Sequence, residues 1–477
     1  MAAAAPLDTD VAVVGAGLAG LTAARRLEQA GADTVVVEAR PRVGGRTLSH
    51  PLDHPAVRDG ESAVLDLGAG WLGPGQDRVL SLVGELGLST HPTYDEGDNL
   101  SEHRGRMHRY RGVFPRLGPL MLADLTQAQL RLDRMARTVP LDMPWTARRA
   151  ASWDRQTVAA WAARNLRTRG GRALLQLAVE AVWAAHPADL SLLHVLFYIR
   201  SNGGFDALTS VRGGAQQERV VGGTQALALT LAAALRRPPL LDAPVHRVTV
   251  RDGRVELALP GGRTVRSRRA VLALAPNLLA RIGFAPELPA LRHQLHQRMP
   301  QGTVVKCHAV YPAPFWRDRG LTGQVTSPAG PVKVTFDATP PGGSPGVLLG
   351  FLEGRQARSL GARPPAERRR AVLACLRRYF GEAAARPDQY LDHSWAAEPY
   401  SGGCYAGYFP PNGWTDFGRV LRPAVGPLHF AGTETATTGY GYLDGAVRSG
   451  ETAAAAVLAA LGGDPAPAAG PPPAARR

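Results

Sequence analysis

The 477-residue chain has only three cysteines, Cys307, Cys375 and Cys404, odd in number and far apart. That excludes a disulfide framework and a CxxC metal pair, and it predicts a reducing compartment, the cytoplasm. Lysine is nearly missing: of 55 basic residues, only Lys306 and Lys333 are not arginine. In a chain that writes almost every cation as arginine, a lysine marks a place where guanidinium will not serve. No apolar run approaches the roughly 20 residues of a membrane span, and residues 452–461 are too few and too gently apolar for one. The first ten residues lack a basic n-region and an apolar core, so no signal peptide is expected. The net charge of +15 is dispersed along the chain, which reads as compositional bias and predicts no nucleic-acid partner. The bias toward Ala, Arg, Gly and Pro points to a high-GC bacterial source, and residues 463–477 read as a disordered tail.

What is present is an ordinary soluble composition, 45% apolar and 20% charged, long enough for two or three domains. Near its start lies a complete nucleotide fingerprint. Val11 to Val14 is a β-rich run suited to a buried parallel strand. Gly15-Ala16-Gly17-Leu18-Ala19-Gly20 follows, then a helix over Leu21 to Ala30 and a second strand, Thr34 to Val37, ending in Glu38. Gly15 and Gly17 permit a tight turn and close approach of a pyrophosphate, and Gly20 lets helix and strand pack closely. The helix start offers N–H groups to phosphate, and Glu38 can accept both hydroxyls of an adenosine ribose. The fold class is therefore α/β with a Rossmann-like nucleotide domain.

The residues after the acid separate FAD from NAD. Ala39-Arg40, then Gly44-Gly45-Arg46, and Gly68-Ala69-Gly70-Trp71 resemble the FAD-contacting loops of flavin-dependent amine oxidases. Further segments extend the resemblance to the flavin-containing monoamine oxidase family: Gln216-Gln217; a strand led by Pro244-Val245; Val304-Val305-Lys306-Cys307; Trp395; Ser401-Gly402-Gly403-Cys404-Tyr405; Gly432-Thr433-Glu434; and Tyr442-Leu443. The resemblance implies an FAD domain drawn from residues 1–88, 213–290 and 392–462. It implies a substrate domain from 89–212, largely helical, and 291–391; within the latter, residues 300–352 alternate like strands and Ala366 to Tyr379 reads as a basic helix.

It also implies roles. Cofactor contacts fall on Gly15, Gly17, Ala19, Gly20, Glu38, Ala39, Arg40, Gly45, Arg46 (facing the phosphates), Gly68, Ala69, Gly70, Trp71, Val245, Trp395, Cys404, Gly432, Thr433, Glu434, Tyr442 and Leu443. Lys306 is placed beside the flavin through a water, where its ammonium stabilises negative charge. Tyr405 and Tyr442 flank the substrate amine as two aromatic rings. Gln216, Thr209, Phe336 and Phe351 line the substrate cavity, with Gln217 an alternative to Gln216. Cys404 matches the cysteine that tethers FAD covalently in the mitochondrial-type members.

The expected activity is oxidation of a small-molecule amine to an imine by FAD, with O2 reduced to hydrogen peroxide; a homodimer is compatible with this. An L-amino acid oxidase would carry an arginine in the Asp66 to Trp71 loop, which has none. A carotenoid- or porphyrinogen-type desaturase would lack the Cys404 motif and the paired tyrosines. A chromatin-type amine oxidase and a catalytically silent flavoprotein are the more distant alternatives. No acid among Asp95, Glu96 and Glu353 can be assigned from sequence to the far end of a polyamine pocket.

Overall fold

The computed structural model describes residues 5–57, 63–103, 105–112, 115 and 117–462; the tail expected over 463–477 lies outside them. Strand β1 (Leu7–Val14) becomes fully buried from Val11 onward. It lies parallel to β2 (Thr34–Val37) on one side and to the Thr264–Leu272 strand on the other. The helix between them, α1 (Leu18–Gln29), starts three residues before the expected Leu21. Gly17 takes an extended cap conformation and lets the helix begin at Leu18. Gly15 has φ +102, a left-handed value that a side chain would strain. A Cβ on Gly20 would lie 2.0 Å from the Gly15 carbonyl oxygen, so only glycine lets α1 sit this close to the loop.

The first sheet is completed by Arg247–Arg251, Arg254–Ala258, Gly283–Ala285 and Leu428–Phe430, so its strands come from the start, middle and end of the chain. The strand expected to open at Pro244-Val245 begins instead at Arg247. Proline lacks the N–H a ladder needs, and both residues stay in the preceding loop. The last helix, Leu443–Gly462, packs along α1, with Gly450 set against the Ala19 carbonyl.

The second sheet has seven strands; next to its edge strand, Gln389–Ser394, lies the Val304–Tyr311 strand, which pairs antiparallel with it and with Gly346–Glu353. Both Val304–Tyr311 and Gly346–Glu353 are buried at every residue, as their apolar runs require. The expected Val332 to Phe336 strand runs from Val334 to Asp337. A helical lobe built on Pro119–Ala136, Arg169–Trp183 and Leu192–Ser201 covers one side, with Trp153, Trp161 and Trp183 in its core. Among the described residues no helix is long and apolar enough to cross a membrane.

Candidate active site

One continuous cavity of about 1040 Å³ runs from the ends of β1 and β2 to the face of the second sheet. That is the upper end of the size range for small-molecule sites. At its first end lie Gly15, Gly17, Ala19, Glu38, Ala39, Arg40, Pro244 and Val245. The Glu38 carboxylate is fixed by two backbone donors, Ala16 N at 2.8 Å and Arg40 N at 3.0 Å. Those bonds fix the carboxylate just past the end of a buried strand. Gly44-Gly45, Gly68 to Gly70, and Gly432 continue the wall with little side-chain bulk, and Trp71 and Thr433 join them.

At the second end, Lys306 is 3% exposed and does not reach solvent. Its Nζ donates to the Asp66 carbonyl at 2.6 Å and the Gly68 carbonyl at 2.7 Å. An ammonium has three N–H bonds, so one remains for the cavity. The Trp71 and Phe351 rings lie 5.5 and 5.7 Å from Nζ. Burial pushes its pKa down to about 8, against the pull of Asp66. The sheet register explains the grouping: Lys306 is paired directly with Phe351, and Phe336 with Leu349. Paired residues share a face, and so do alternate residues. Lys306, Phe336, Phe351 and Glu353 thus stand on one face, and all four line the cavity.

Tyr405, Tyr442, Cys404, Gln216 and Thr209 also line it, whereas Gln217 turns away to accept from Gly213 N. Tyr442 stands 6.1 Å from Tyr198, a ring from the helical lobe. Burial raises the Tyr405 and Tyr442 hydroxyls above their ordinary range, so both stay neutral. The Cys404 thiol is likewise pushed up, to about 11, by burial.

Three expected cofactor contacts lie behind the wall rather than on it. Gly20 is packed against the Gly15 loop, Trp395 donates to the Leu67 carbonyl at 2.7 Å, and Glu434 is buried against Arg46. Arg46 does reach the cavity, but its guanidinium is bound to Glu434 and to the Tyr405 carbonyl. Sequence reading missed Tyr198, which sits in a buried, largely apolar helix with nothing to mark it, and could not place Glu353. Asp95 lines the cavity where its rim pairs with Arg212; Glu96 does not line it. Cys307 and Cys375 are buried packing thiols, as expected.

A strand-end carboxylate, a glycine cradle and a desolvated lysine along a single cavity define an oxidoreductase built around a dinucleotide. The unpartnered buried indole N–H of Trp71, in the wall near Lys306, offers a donor to such a group. A family model described as flavin containing amine oxidoreductase matches residues 18–458. The AofH protein of Mycobacterium tuberculosis is 41% identical over 456 residues, covering 96% of this chain and 98% of that one. An amine oxidase of Oncorhynchus mykiss is 35% identical over 95% of this chain and 86% of its own. Among solved structures, putrescine oxidase bound to putrescine superposes with a TM-score of 0.91 at 33% identity, over 95% of this chain and all of that one. The chain belongs to the flavin-containing amine oxidoreductases. It is an FAD-dependent oxidoreductase acting on amines.

Proposed function

We propose that this enzyme oxidises a small, largely apolar primary amine, bound between Tyr405 and Tyr442, and that Cys404 tethers the flavin. Segments 1–88, 213–290 and 392–462 would form the FAD-binding part, and 89–212 and 291–391 the substrate part. Glu38 would take the adenosine ribose, and Gly15 to Ala19 with Gly432-Thr433 the phosphates. Bound FAD would supply the two-electron acceptor by which amine becomes imine and O2 becomes hydrogen peroxide.

The chain's own residues prepare that chemistry. The Tyr405 and Tyr442 rings offer electron-rich, poorly solvated faces, which draw in an ammonium and then favour its neutral form. Phe336, Phe351 and Trp71 exclude water, and Phe336 meets Trp71 edge-on at 5.1 Å. Lys306, fixed by two carbonyls, keeps a directed positive charge where negative charge develops, at no reorganisation cost. Apolar walls favour an aryl-alkyl side chain over a charged one.

The observation that carries this reading is Lys306, desolvated yet hydrogen-bonded, in the same cavity as both tyrosines. Anaerobic mixing with a panel of amines should bleach the flavin, and aerobic turnover should release peroxide. A holoenzyme left oxidised by every amine would overturn it.

A further inference from the structure

The buried carboxyl of Glu353 has no task in the chemistry above. It closes the Gly346–Glu353 strand, 3% exposed, on the sheet face that carries Lys306 and Phe351. Its Oε1 accepts from the Tyr405 hydroxyl at 3.0 Å, and its Oε2 has no hydrogen-bond partner. A buried carboxyl with an idle oxygen costs stability unless something binds it. The residue lines the cavity in which Tyr405 and Tyr442 stand.

We propose that Glu353 receives the substrate's ammonium at the Tyr405 edge of the slot and takes its proton, delivering the neutral amine for oxidation. This rests on the amine-oxidase reading and names the group that prepares the substrate. The step balances: one N–H bond of the ammonium breaks, its electron pair stays on nitrogen, and a proton passes to Glu353 Oε2. No oxidant enters. A carboxylate bonded to one ring of an aromatic pair stands where an amine entering that pair loses its water.

The surroundings of Glu353 suit a base. Tyr405 faces it from one side, and from the other the Glu180–Lys333 ion pair, anchored on the Arg169–Trp183 helix and the segment before Val334. Around that pair stand His186 and Arg355, and along the neighbouring strand Lys306 points to the same face. Burial, with Glu180 adding to it, raises the Glu353 pKa to about 8, against Tyr405 and Lys333. A carboxyl tuned that high is a far better proton acceptor from an amine than an ordinary one near 4. Lys333, the second of the two lysines, thus sits next to the site rather than on the surface.

The test compares wild-type holoenzyme with Glu353→Gln and Glu353→Leu in anaerobic stopped-flow reduction by benzylamine from pH 6.5 to 10. Glutamine keeps the shape and an acceptor for Tyr405 but cannot take a proton. For wild type, the reduction rate over Kd should rise through pH ~8 as Glu353 ionises. Both variants should lack that limb and lose on the order of 10²-fold near pH 8, with the deficit closing where free benzylamine is itself neutral. A second readout needs no turnover: α,α-dimethylbenzylamine has no α-C–H to lose. Titrated at pH 8.5 with an indicator dye, it should release more protons per amine bound in Glu353→Gln than in wild type. An unchanged pH profile, a loss equal at every pH, or equal proton release would overturn the proposal. Wild-type flavin that no amine bleaches would instead fail the amine-oxidase reading, and this inference with it.

Discussion

Arg46 and Glu434 meet as a two-pronged ion pair at the cavity wall, Nη1 to Oε1 at 2.6 Å and Nη2 to Oε2 at 3.0 Å. The same Nη1 donates to the Tyr405 carbonyl at 2.8 Å, and Glu434 also accepts from Gly407 N at 3.0 Å. The pair therefore fixes the backbone from the Tyr405 carbonyl to Gly407.

Removing one partner leaves the other charge buried. Glu434→Gln should cost about 3–5 kcal/mol, read as a fall in Tm and in denaturant midpoint. Burial alone would raise the Glu434 pKa, but Arg46 and the hydrogen bonds hold it below the ordinary value. A depressed carboxylate stabilises the fold above its unfolded pKa of about 4.3 and loses that contribution as pH falls. The wild type should therefore lose more stability than Glu434→Gln on acidification below that value.

Lys306 is charged below pH ~8 and neutral above, following its lowered pKa. Its charge should favour the oxygen reaction, so the rate at which reduced enzyme consumes O2 should decline as pH rises through about 8. Lys306→Met should slow it on the order of 10²-fold and flatten that decline. Lys306→Arg should not restore it, because a planar guanidinium cannot replace an ammonium held between the Asp66 and Gly68 carbonyls.

Tyr405→Leu and Tyr442→Leu each remove one aromatic face from the slot. Each should raise the amine KM on the order of tenfold, measured by peroxide release. Tyr442→Phe, which keeps the ring, should stay within a few-fold of wild type.

The Cys404 tether has a direct readout. Acid-denatured protein should remain yellow with an FAD-sized mass increment, and Cys404→Ala should lose both. Free FAD in the acid supernatant of wild type would leave Cys404 as a contact only. In apoprotein produced without flavin, the thiol, raised to about 11 by burial, should resist alkylation at neutral pH.

Gly20→Ala would push a methyl against the Gly15 carbonyl, a backbone atom that cannot swing aside. It should cost at least ~1–3 kcal/mol and release FAD, seen as a lower Tm and a colourless protein.

The nucleotide end of the molecule was legible because its rules are local: glycines, a helix start and a strand-end acid act within a few dozen residues. Lys306 was legible because composition had made lysine rare. Glu353 was not, because its place follows from a strand register set across some fifty residues, Val304 opposite Glu353. The ion pair of Arg46 was equally hidden, because its carboxylate partner lies 388 residues away. Gly20, Trp395 and Glu434 belong to cofactor motifs yet stand behind the wall, since a motif records what holds a loop as well as what the loop touches.

The docking of the last helix on α1, with Gly450 against Ala19, sets an order on the making of this protein. A nascent chain emerges with its glycine loop first, but the helix that braces that loop leaves the ribosome almost four hundred and fifty residues later. Through the first half of synthesis β1 also lacks the Thr264–Leu272 strand that pairs with it. Flavin capture should consequently come late in biogenesis, and chains cut short before Leu443 should be cleared by proteases as colourless, half-built intermediates.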